Sequence, residues 1–546
     1  MVQFAGAGFQ AAIGSFAKRG DITVVLITRP RPKGKHTLLD PVVADPTSDV
    51  MTNPQEPSDR VRLQRVAHQA MIDRGLEPDF PGPALAELGQ IHGPAADGSV
   101  RDLRKLLWCS IDNDDSRDLD QLTVAEAMPD GAVKALVAIA DVDALVRKRS
   151  ALDDHARKNT TSVYTVGQIF PMLPEKLSTD LTSLGFDADR LAIVLEMTFD
   201  REGVLKTAVH YRALVRNHAK LAYNSVAAWL DNTGPMPPEI GKVGGLDANL
   251  RLQDQLAQRL KAQRHRLGAL ELETIQMRPV FDGAMLRDLV DDRRNRAKDI
   301  IEDFMIAANG ATARFLASAN RSSVRRVVRT PKHWDRIVEL AAERGATLPK
   351  DPDSRELQLF LVAAKKKDPL RFPDLSLSVI KLLGAGEYVV ERPGGQVAGH
   401  FGLAVRDYAH STAPNRRYPD VIIQRLLKSA LAKSPQPYGD DELDAIALHC
   451  TEAEDAAKKI ERQVSKCAGV LLLRSRIGAR FDAIVTGASD KGTWVRLQHP
   501  PIEGKLIAGF EDAKVGAIVR VELVRVDLES CYIDFKRVPD GSGTGR

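Results

Sequence analysis

The stretch SIDNDDSRDLDQL, residues 110–122, places five aspartates within thirteen positions, directly after an apolar lead-in that includes Trp108. The apolar lead-in predicts a buried strand, and the aspartates predict that the chain leaves the core where this strand ends. Carboxylates so close together repel one another, and each is costly to bury without a partner. Positive charge is therefore expected among them, supplied either by solvent and lysine or by a metal ion.

Three interpretations of this stretch compete. An EF-hand calcium loop is excluded, because Arg117 occupies the glycine position and Thr123 the position of the bidentate glutamate. A solvated acidic loop stays open, although it does not explain the apolar lead-in. The third is a magnesium site, since carboxylate oxygens are the hard ligands that Mg²⁺ prefers. Asp118 and Asp120, two apart in an extended segment, project to the same side, and Asp112 lies at the preceding strand end.

A second stretch, STAPNRRYPD (411–420), contains the arginines that such a site needs. Magnesium clusters commonly serve phosphoryl transfer, and arginine grips phosphate with two parallel hydrogen bonds. Arg416 and Arg417 stand just ahead of a predicted helix, where positive charge opposes the helix dipole unless an anion is present. A phosphate there is one interpretation, and pairing with Asp420 or another acid is the alternative.

Composition sets the broad class of the protein. The chain has 546 residues, 43% of them hydrophobic and 27% charged, which predicts several folded domains. It contains no apolar run of the roughly 18–20 residues that a membrane span needs. The four cysteines are scattered without a CxxC pair, which argues against a disulfide framework and a structural zinc site. We therefore expect a cytoplasmic protein with no membrane association.

The net charge of +4 is only a weak indication of an anionic partner. Basic residues are concentrated in three runs, at 18–35, 321–332 and 365–371. Such runs could line a channel that tracks phosphates, although a solvated surface is the default interpretation of any single run.

Periodicity predicts the elements along the chain. Residues 1–97 combine a strand-like DITVVLIT (21–28) with a helix over 58–76, capped by Ser58, and a short helix ending at glycine. They form a small α/β or helix-turn-helix-like module. Further on, strands are predicted over 133–142, 190–200 and 267–282, and helices over 295–317, 419–431 and 441–475. Short alternating strands after residue 475 predict a five-stranded barrel over 476–537, followed by a disordered tail over 538–546.

Taken together, these stretches resemble the ribonuclease II (RNB) family over most of residues 100–537. The aspartate stretch is similar to the IDxxxxxDxD signature of that family. TSVYTVGQIFPMLPEKLSTDLTSL (161–184) resembles its tyrosine-bearing segment, and HFGLAVRDYAHSTAPNRRYPD (400–420) resembles the block that ends in two arginines. LGALELET and IIEDFMIAANG match further blocks, and the last strands resemble an OB-type RNA-binding barrel. The resemblance implies an α+β multidomain protein, in which a mixed α/β catalytic domain (98–475) lies between the N-terminal module and the barrel.

The resemblance implies a processive 3′→5′ exoribonuclease that hydrolyses single-stranded RNA to nucleoside 5′-monophosphates with one or two Mg²⁺ ions. By position, Asp112, Asp118 and Asp120 are the acidic metal-site residues, and Asp120 is expected to be the least replaceable. Arg416 is expected to stabilise charge on the scissile phosphate, with Arg417 assisting. No organic cofactor is expected, and a threading channel is self-sufficient in a monomer.

The resemblance also implies RNA-binding roles for Tyr164, Tyr223, Glu461 and, in the barrel, Trp494. Base–aromatic stacking tolerates any sequence, which suits a degrading enzyme. A carboxylate near a terminal ribose could accept a hydrogen bond from a 2′-OH and so prefer RNA to DNA. The alternatives are core positions for the two tyrosines and a solvated helix surface for Glu461.

Four features depart from the family pattern. Gln121 stands where a fourth acid is usual, so an ion could be held more weakly or through water. Asn415 replaces an apolar residue before the arginines, a change without explanation in the sequence alone. IEGKLIAGF (502–510) lacks the usual histidine, and the N-terminal module is too short for two cold-shock barrels. A non-hydrolytic RNA-binding protein, with Gln121 marking a lost metal site, is therefore the main alternative, and a DNA-directed nuclease is a less favoured one.

Overall fold

The computed structural model describes residues 57–274, 277–292, 294–489 and 492–539. The predicted strand at 21–28, the basic run at 18–35 and nearly all of the predicted tail lie outside the described residues.

A seven-stranded mixed sheet forms the centre of the region that follows the first two helices. Its strand order is β1-β8-β7-β4-β3-β2-β9, antiparallel except for the pairs β1–β8 and β2–β9. A short hairpin, β5–β6, stands outside this sheet. The strands are β1 (Arg101–Asp102), β2 (Cys109–Asp112), β3 (Gln121–Ala127), β4 (Val133–Ala140), β5 (Val163–Tyr164), β6 (Ile169–Phe170), β7 (Asp189–Phe199), β8 (Leu205–Arg216) and β9 (Ala219–Ala222).

Helices cover both faces of this sheet, because inward-facing residues of the central strands are apolar on both sides. Helices α4, α6 and α7 pack on one face and α11 on the other. Ser58 and Asn295 cap α1 and α7 by accepting backbone N–H groups. The helices are α1 (Asp59–Asp73), α2 (Gly82–Gly89), α3 (Ala151–Asn159), α4 (Tyr223–Leu230), α5 (Pro238–Gly241), α6 (Leu246–Arg266), α7 (Arg296–Ser318), α8 (Trp334–Ala342), α9 (Ser354–Lys367), α10 (Phe372–Leu383), α11 (Tyr418–Leu431) and α12 (Asp440–Leu473).

A closed five-stranded barrel with the order β14-β15-β16-β18-β17 follows α12. Its interior is tightly filled: a Cβ on Gly504 would lie 2.5 Å from the ring of Phe535, so only glycine fits there. Two antiparallel pairs complete the strands: the hairpin β10–β11, and β12–β13, whose strands are separated in the chain by α8, α9 and α10. Their bounds are β10 (Met277–Asp282), β11 (Met285–Asp291), β12 (Ser323–Val327), β13 (Glu387–Glu391), β14 (Arg480–Ser489), β15 (Gly492–Leu497), β16 (Glu503–Ala508), β17 (Ile518–Asp527) and β18 (Tyr532–Arg537).

The predicted fold class is confirmed: a mixed α/β region is followed by a five-stranded barrel. The strand predicted over 267–282 is partly wrong. Only Met277–Asp282 is a strand, and residues 269–274 are irregular although their apolar residues alternate. Alternation marks a chain with one buried side, and an irregular segment lying on a core satisfies it equally well. None of the described helices combines the length and apolar composition that a membrane crossing requires.

The basic run at 321–332 forms neither a channel lining nor a solvated surface at its centre. It contains β12, in which Arg325 and Arg326 are buried. Arg325 is paired with Glu391 of the neighbouring strand, and Arg326 with Glu454 of α12 at 2.8 Å. Both buried arginines are therefore paired with partly buried carboxylates, which counting charges along the sequence does not reveal.

One disulfide contradicts the expectation from the scattered cysteines. Cys467 in α12 and Cys531 in the turn between β17 and β18 are bonded, with their Cα atoms 4.7 Å apart. They are separated by 64 positions in the chain, so only the docking of the barrel on α12 brings them together. Cys109 and Cys450 are buried free thiols.

Candidate active site

The aspartate loop, residues 112–120, crosses one end of the central sheet. Strand β2 ends at Asp112 and β3 begins at Gln121, so the loop joins two strands that lie side by side. The carbonyl of Asp120 accepts the backbone N–H of Ala140 at 3.0 Å, which continues the ladder between β3 and β4. Both ends of the loop are thus fixed by the sheet.

Asp120 is the most constrained carboxylate of this loop. Its Oδ1 accepts the backbone N–H of Asn415 at 2.8 Å, and its Oδ2 accepts Nε–H of Arg416 at 3.1 Å. Its side chain is 1% exposed, whereas that of Arg416 is 41% exposed. Burial raises the pKa of Asp120 to about 7, against the opposing effects of Arg416 and the Asn415 N–H. The exposed part of the guanidinium therefore remains available to a substrate.

Asp112 and Asp118 are half-buried and lie within the electrostatic reach of Arg416. Oδ1 of Asp112 accepts the N–H of Asn113 at 2.7 Å and the hydroxyl of Ser116 at 2.9 Å. Burial nevertheless raises the pKa of Asp112, because these bonds only partly offset desolvation. The loop thus holds acidic groups that are short of positive charge.

Tyr164 at the tip of β5 reaches the same loop. Its hydroxyl donates to Oδ2 of Asp118 at 2.8 Å, and the residue is 40% exposed. Its backbone N–H donates to Oε1 of Glu461 in α12 at 3.0 Å. Burial raises the pKa of Glu461. The structure thus brings Asp118, Tyr164 and Glu461 together as one connected group.

Tyr223 approaches from the other side of the loop. It is the first residue of α4, and the ammonium group of Lys298 lies 5.9 Å from its ring centroid. The pKa of its hydroxyl is raised by burial and then by the charge of Asp112. Tyr164 therefore contacts Asp118, and Tyr223 lies within the electrostatic reach of Asp112. Their stacking on RNA stays a prediction.

Arg417 has a different environment from that of Arg416. Its guanidinium donates to Oδ1 of Asp420 at 2.7 Å and to the hydroxyl of Thr412 at 3.4 Å. Among the contacts of the described residues, none joins Arg417 to the aspartate loop. The alternative raised from the sequence, pairing with Asp420 or another acid, thus describes both arginines: Arg417 pairs with Asp420, and Arg416 pairs with Asp120 while it stays partly exposed.

Gln121 and Trp494 stand apart from these contacts. The alternation of β3 places Gln121 on the face of Thr123, whose hydroxyl bonds Gln253 of α6 at 2.7 Å. No hydrogen bond of the Gln121 side chain occurs within the described part of the chain. Trp494 lies in β15, opposite Gly487 in the barrel. Neither residue contacts the aspartate loop through its side chain in the described structure.

The donor chemistry of the loop fits a divalent cation. Asp112 and Asp120 both have pKa values raised by burial, so a cation beside them would remove an electrostatic cost. In the described ranges, no three His, Cys, Asp or Glu side chains converge closely enough to surround one ion. Asp120 already uses both oxygens on Asn415 and Arg416. Asp112 and Asp118 are consequently the more accessible ligands.

Sequence reasoning missed several residues that shape this site. Asp114 and Asp115 face Arg278 of β10 at 3.3 and 3.4 Å, which supplies part of the expected positive charge. Ser183 accepts the N–H of Leu119 at 3.0 Å and so supports the loop from outside. No sequence pattern indicated Arg278. Ser183 lies within the segment quoted for the resemblance, but no role was assigned to it.

Comparison with known proteins agrees with this geometry. Residues 100–433 match the RNB domain family, and residues 479–538 match the RNase II-type exonuclease C-terminal S1 domain. Ribonuclease R of Vibrio parahaemolyticus is 29% identical over 96% of this chain and 65% of its own length. Ribonuclease R of Escherichia coli is 31% identical over 74% of this chain and 50% of its own length. The chain therefore spans about half to two thirds of the length of these curated relatives.

The fold also matches a solved structure. Mycoplasma genitalium RNase R in complex with ribose-methylated single-stranded RNA superposes with a TM-score of 0.77 at 23% identity, covering 87% of this chain and 78% of that one. The likeness shows a shared architecture for the sheet, its helices and the barrel.

Proposed function

Because this chain belongs to the RNB-domain family, we propose that it is a 3′→5′ exoribonuclease that degrades single-stranded RNA. The proposal includes processive hydrolysis to nucleoside 5′-monophosphates by a monomeric, cytoplasmic enzyme. It assigns residues 1–97 to an RNA-guiding module, 98–475 to the catalytic domain and 476–537 to an RNA-binding barrel.

The contact of Arg416 with Asp120 carries this proposal. The carboxylate holds Nε of Arg416 at 3.1 Å and leaves the guanidinium 41% exposed. An arginine held in this way is preorganised to stabilise negative charge that develops on a phosphate. Asp112 and Asp118 lie within the field of the same guanidinium, so phosphate and cation can meet at one place.

We propose Asp112, Asp118 and Asp120 as the residues that hold Mg²⁺; Gln121, which the sequence grouped with them, lies on the α6 face of β3 and is left out of this set. When bound, Mg²⁺ supplies an activated water and stabilises charge on the attacking and leaving oxygens. Asp120 also orients Arg416, which is consistent with its expected position as the least replaceable residue. Arg417 acts through Asp420, by holding the turn that carries Arg416.

The nucleotide next to this site would stack on the exposed face of Tyr164. Tyr164 is 40% exposed while its hydroxyl and its backbone N–H are both bonded, so its side chain is held in a fixed orientation. Tyr223 offers a second aromatic surface on the Asp112 side. Glu461 uses Oε1 on Tyr164, and its other oxygen can accept a ribose hydroxyl. Trp494 contributes a contact in the barrel, farther along the RNA.

The test is a cleavage assay with 5′-labelled single-stranded RNA and Mg²⁺, read on a sequencing gel. We expect collapse to a very short 5′ end product without a ladder of intermediates. The Asp120→Asn variant and an EDTA control are expected to lose this activity. A ladder of labelled intermediates in place of one short product, or activity that resists EDTA, would contradict the proposal.

Gln121 favours one second candidate function. It places a neutral side chain where the family usually has an acid, and it lies on the α6 side of β3. A non-hydrolytic RNA-binding protein on this fold would bind the same RNA and leave it intact across several divalent ions. The same assay separates the two functions.

A further inference from the structure

One short segment, residues 182–184, contacts both chain segments that carry the site. Ser183 Oγ donates to the carbonyl of Arg117 at 2.7 Å and accepts the N–H of Leu119 at 3.0 Å. Leu184 N–H donates to the carbonyl of Leu119 at 2.9 Å. These three bonds tie the aspartate loop to the segment 182–184.

Thr182 ties the same segment to the turn that carries Arg416. Its Oγ lies 2.6 Å from the side-chain amide of Asn415, and both residues are buried, with Asn415 fully enclosed. The aspartate loop and the turn that carries Arg416 meet where Asn415 contacts Asp120, 295 positions apart in the chain. Both are nevertheless bonded to neighbouring residues of the segment 182–184.

The Thr182 hydroxyl donates to Oδ1 of Asn415 at 2.6 Å and also lies 2.8 Å from the carbonyl of Leu177. A hydroxyl has only one proton, so these two oxygens share it. The carbonyl of Leu177 also accepts the backbone N–H of Thr182 at 3.0 Å, so Asn415 Oδ1 is the acceptor that depends on this hydroxyl.

Asn415 passes this anchoring on to Asp120. Its backbone N–H donates to Oδ1 of Asp120 at 2.8 Å, and the next residue, Arg416, donates to Oδ2 at 3.1 Å. Two consecutive residues thus define the plane of the Asp120 carboxylate. The backbone on either side of Asn415 is held by other bonds, from Ala413 N–H to Asp420 and from Ser162 N–H to the carbonyl of Arg416. The side chain of Asn415 adds the anchor at the residue that contacts Asp120 directly.

We propose that Thr182 and Asn415 are a positioning pair that sets Arg416 and Asp120 for hydrolysis, an inference that rests on the proposed function. Neither side chain touches the substrate. The sequence did not explain why asparagine precedes the arginines. In this pair Asn415 has a specific role, because a buried hydrogen bond replaces apolar packing at this position. A small misplacement of the two reacting groups is sufficient to lower a rate strongly.

Four variants test the pair. Thr182→Val keeps the shape and removes the hydroxyl, leaving the amide of Asn415 buried without a partner, and Thr182→Ser keeps the hydroxyl. The double variant Thr182→Val/Asn415→Leu removes both polar partners and leaves nothing unsatisfied. Thr123→Val is the matched control, because Thr123 is equally buried and bonds Gln253 at 2.7 Å without touching either loop.

The readouts are kcat under saturating RNA, the Kd for RNA in EDTA by fluorescence anisotropy, and the thermal midpoint. We expect Thr182→Val to lower kcat about tenfold or more while Kd changes less than about twofold. Thr182→Ser is expected to stay near the native rate, and the double variant to recover most of the loss. Thr123→Val is expected to lower the thermal midpoint but not kcat.

Three outcomes overturn the inference: a native kcat in Thr182→Val, an equal loss of kcat in Thr123→Val, or a double variant that cleaves no faster than Thr182→Val. If the native protein leaves the RNA intact, the proposed function fails and the inference fails with it. If the native protein cleaves RNA and Thr182→Val cleaves it equally fast, only the inference fails.

Discussion

At the scale of single residues, two neighbouring arginines have separate tasks. Arg416 is bonded to Asp120 and remains partly exposed, whereas Arg417 is bonded to Asp420, whose side chain is fully buried. An exposed guanidinium beside acidic groups suits charge stabilisation, and a buried ion pair suits holding a turn. The two side chains are chemically identical, so their different surroundings alone assign these tasks.

Arg416→Ala is expected to lower kcat about 10²–10³-fold, because one preorganised donor to the phosphate is lost. RNA binding in EDTA should change little, since the stacking residues remain. Single-turnover cleavage and anisotropy measure the two effects. Equal losses in binding and in rate would show that Arg416 holds RNA in general and does not act on the scissile phosphate.

Arg417→Ala provides the contrasting prediction. It leaves the buried carboxylate of Asp420 without its ion pair, and removing one partner of a buried pair typically costs roughly 3–5 kcal/mol of unfolding free energy. Urea unfolding should therefore show a lower midpoint for Arg417→Ala than for Arg416→Ala. The opposite order would contradict the assignment of the two arginines.

His210 in β8 predicts the pH dependence of stability. Burial lowers its pKa from 6.5 to about 4, and its Nδ1 has no hydrogen-bond partner among the residues that the structure describes. The unfolded chain binds more protons than the folded one between these values, so stability is lost as the pH falls from about 6.5 towards 4. Between pH 7 and pH 5 the loss from this residue is about 2 kcal/mol.

His210→Phe should remove that part of the acid sensitivity, because a phenyl ring can keep the contact with Phe315, 4.8 Å away between ring centroids. Urea unfolding at pH 7 and pH 5 measures it. His155 and His400, whose pKa values burial also lowers, keep some sensitivity in the variant. The exposed His92→Gln is the control, and a native pH dependence in His210→Phe would contradict the prediction.

At the scale of elements, α1 supports the hairpin that carries Tyr164. A Cβ on Gly167, in the loop of this hairpin, would lie 2.7 Å from the backbone carbon of Leu63 in α1. Helix α1 is itself held by an ion pair between Asp59 and Arg474 at the end of α12. The orientation of Tyr164 therefore depends on a helix from outside the RNB match, which begins at residue 100.

Gly167→Ala should move the hairpin away from α1, because the added Cβ would clash with the backbone of Leu63. We expect overpacking to cost about 1–3 kcal/mol and the length of the RNA end product to change, because we propose that Tyr164 stacks on the nucleotide next to the site. Gel analysis of the end product measures it. Gly244→Ala, where an added Cβ meets nothing within 4 Å, is the control. An unchanged end product would mean that α1 does not position Tyr164.

At the scale of the whole molecule, α12 connects the catalytic region with the barrel. Its C-terminal turns share one hydrophobic core with α1 and the barrel, and Arg496 of β15 pairs with Asp374 of α10 at 2.6 Å. The Cys467–Cys531 disulfide adds a covalent link at the same interface. The barrel is thus docked by apolar packing, an ion pair and a disulfide together.

Reduction of this disulfide should lower stability by about 2–4 kcal/mol, because closing a loop of 64 positions restricts the unfolded chain. Urea unfolding with and without a phosphine reductant measures the change. Cys531→Ser should unfold like the reduced native protein and be insensitive to the reductant. A native protein whose unfolding ignores the reductant would contradict the prediction.

The sequence by itself determined the elements and the acidic part of the site. Helices α1, α7, α11 and α12 lie within one to three residues of their predicted bounds, and all five barrel strands were recognised. Helical and strand periodicity depend on neighbours along the chain, so they can be recognised from the sequence alone. The family motifs likewise located Asp112, Asp118, Asp120 and Arg416, although their roles in catalysis stay predictions.

Only the tertiary structure decided which partners meet. It paired Arg416 with Asp120 and Arg417 with Asp420, and it buried the centre of the run at 321–332. It also joined Cys467 to Cys531 and Thr182 to Asn415, across 64 and 233 positions. Such pairs form because the packed sheet, helices and barrel close long loops and exclude water from the groups that meet. Linear spacing contains no information about that closure, which is why the charge, cysteine and asparagine patterns could not be interpreted from the sequence alone.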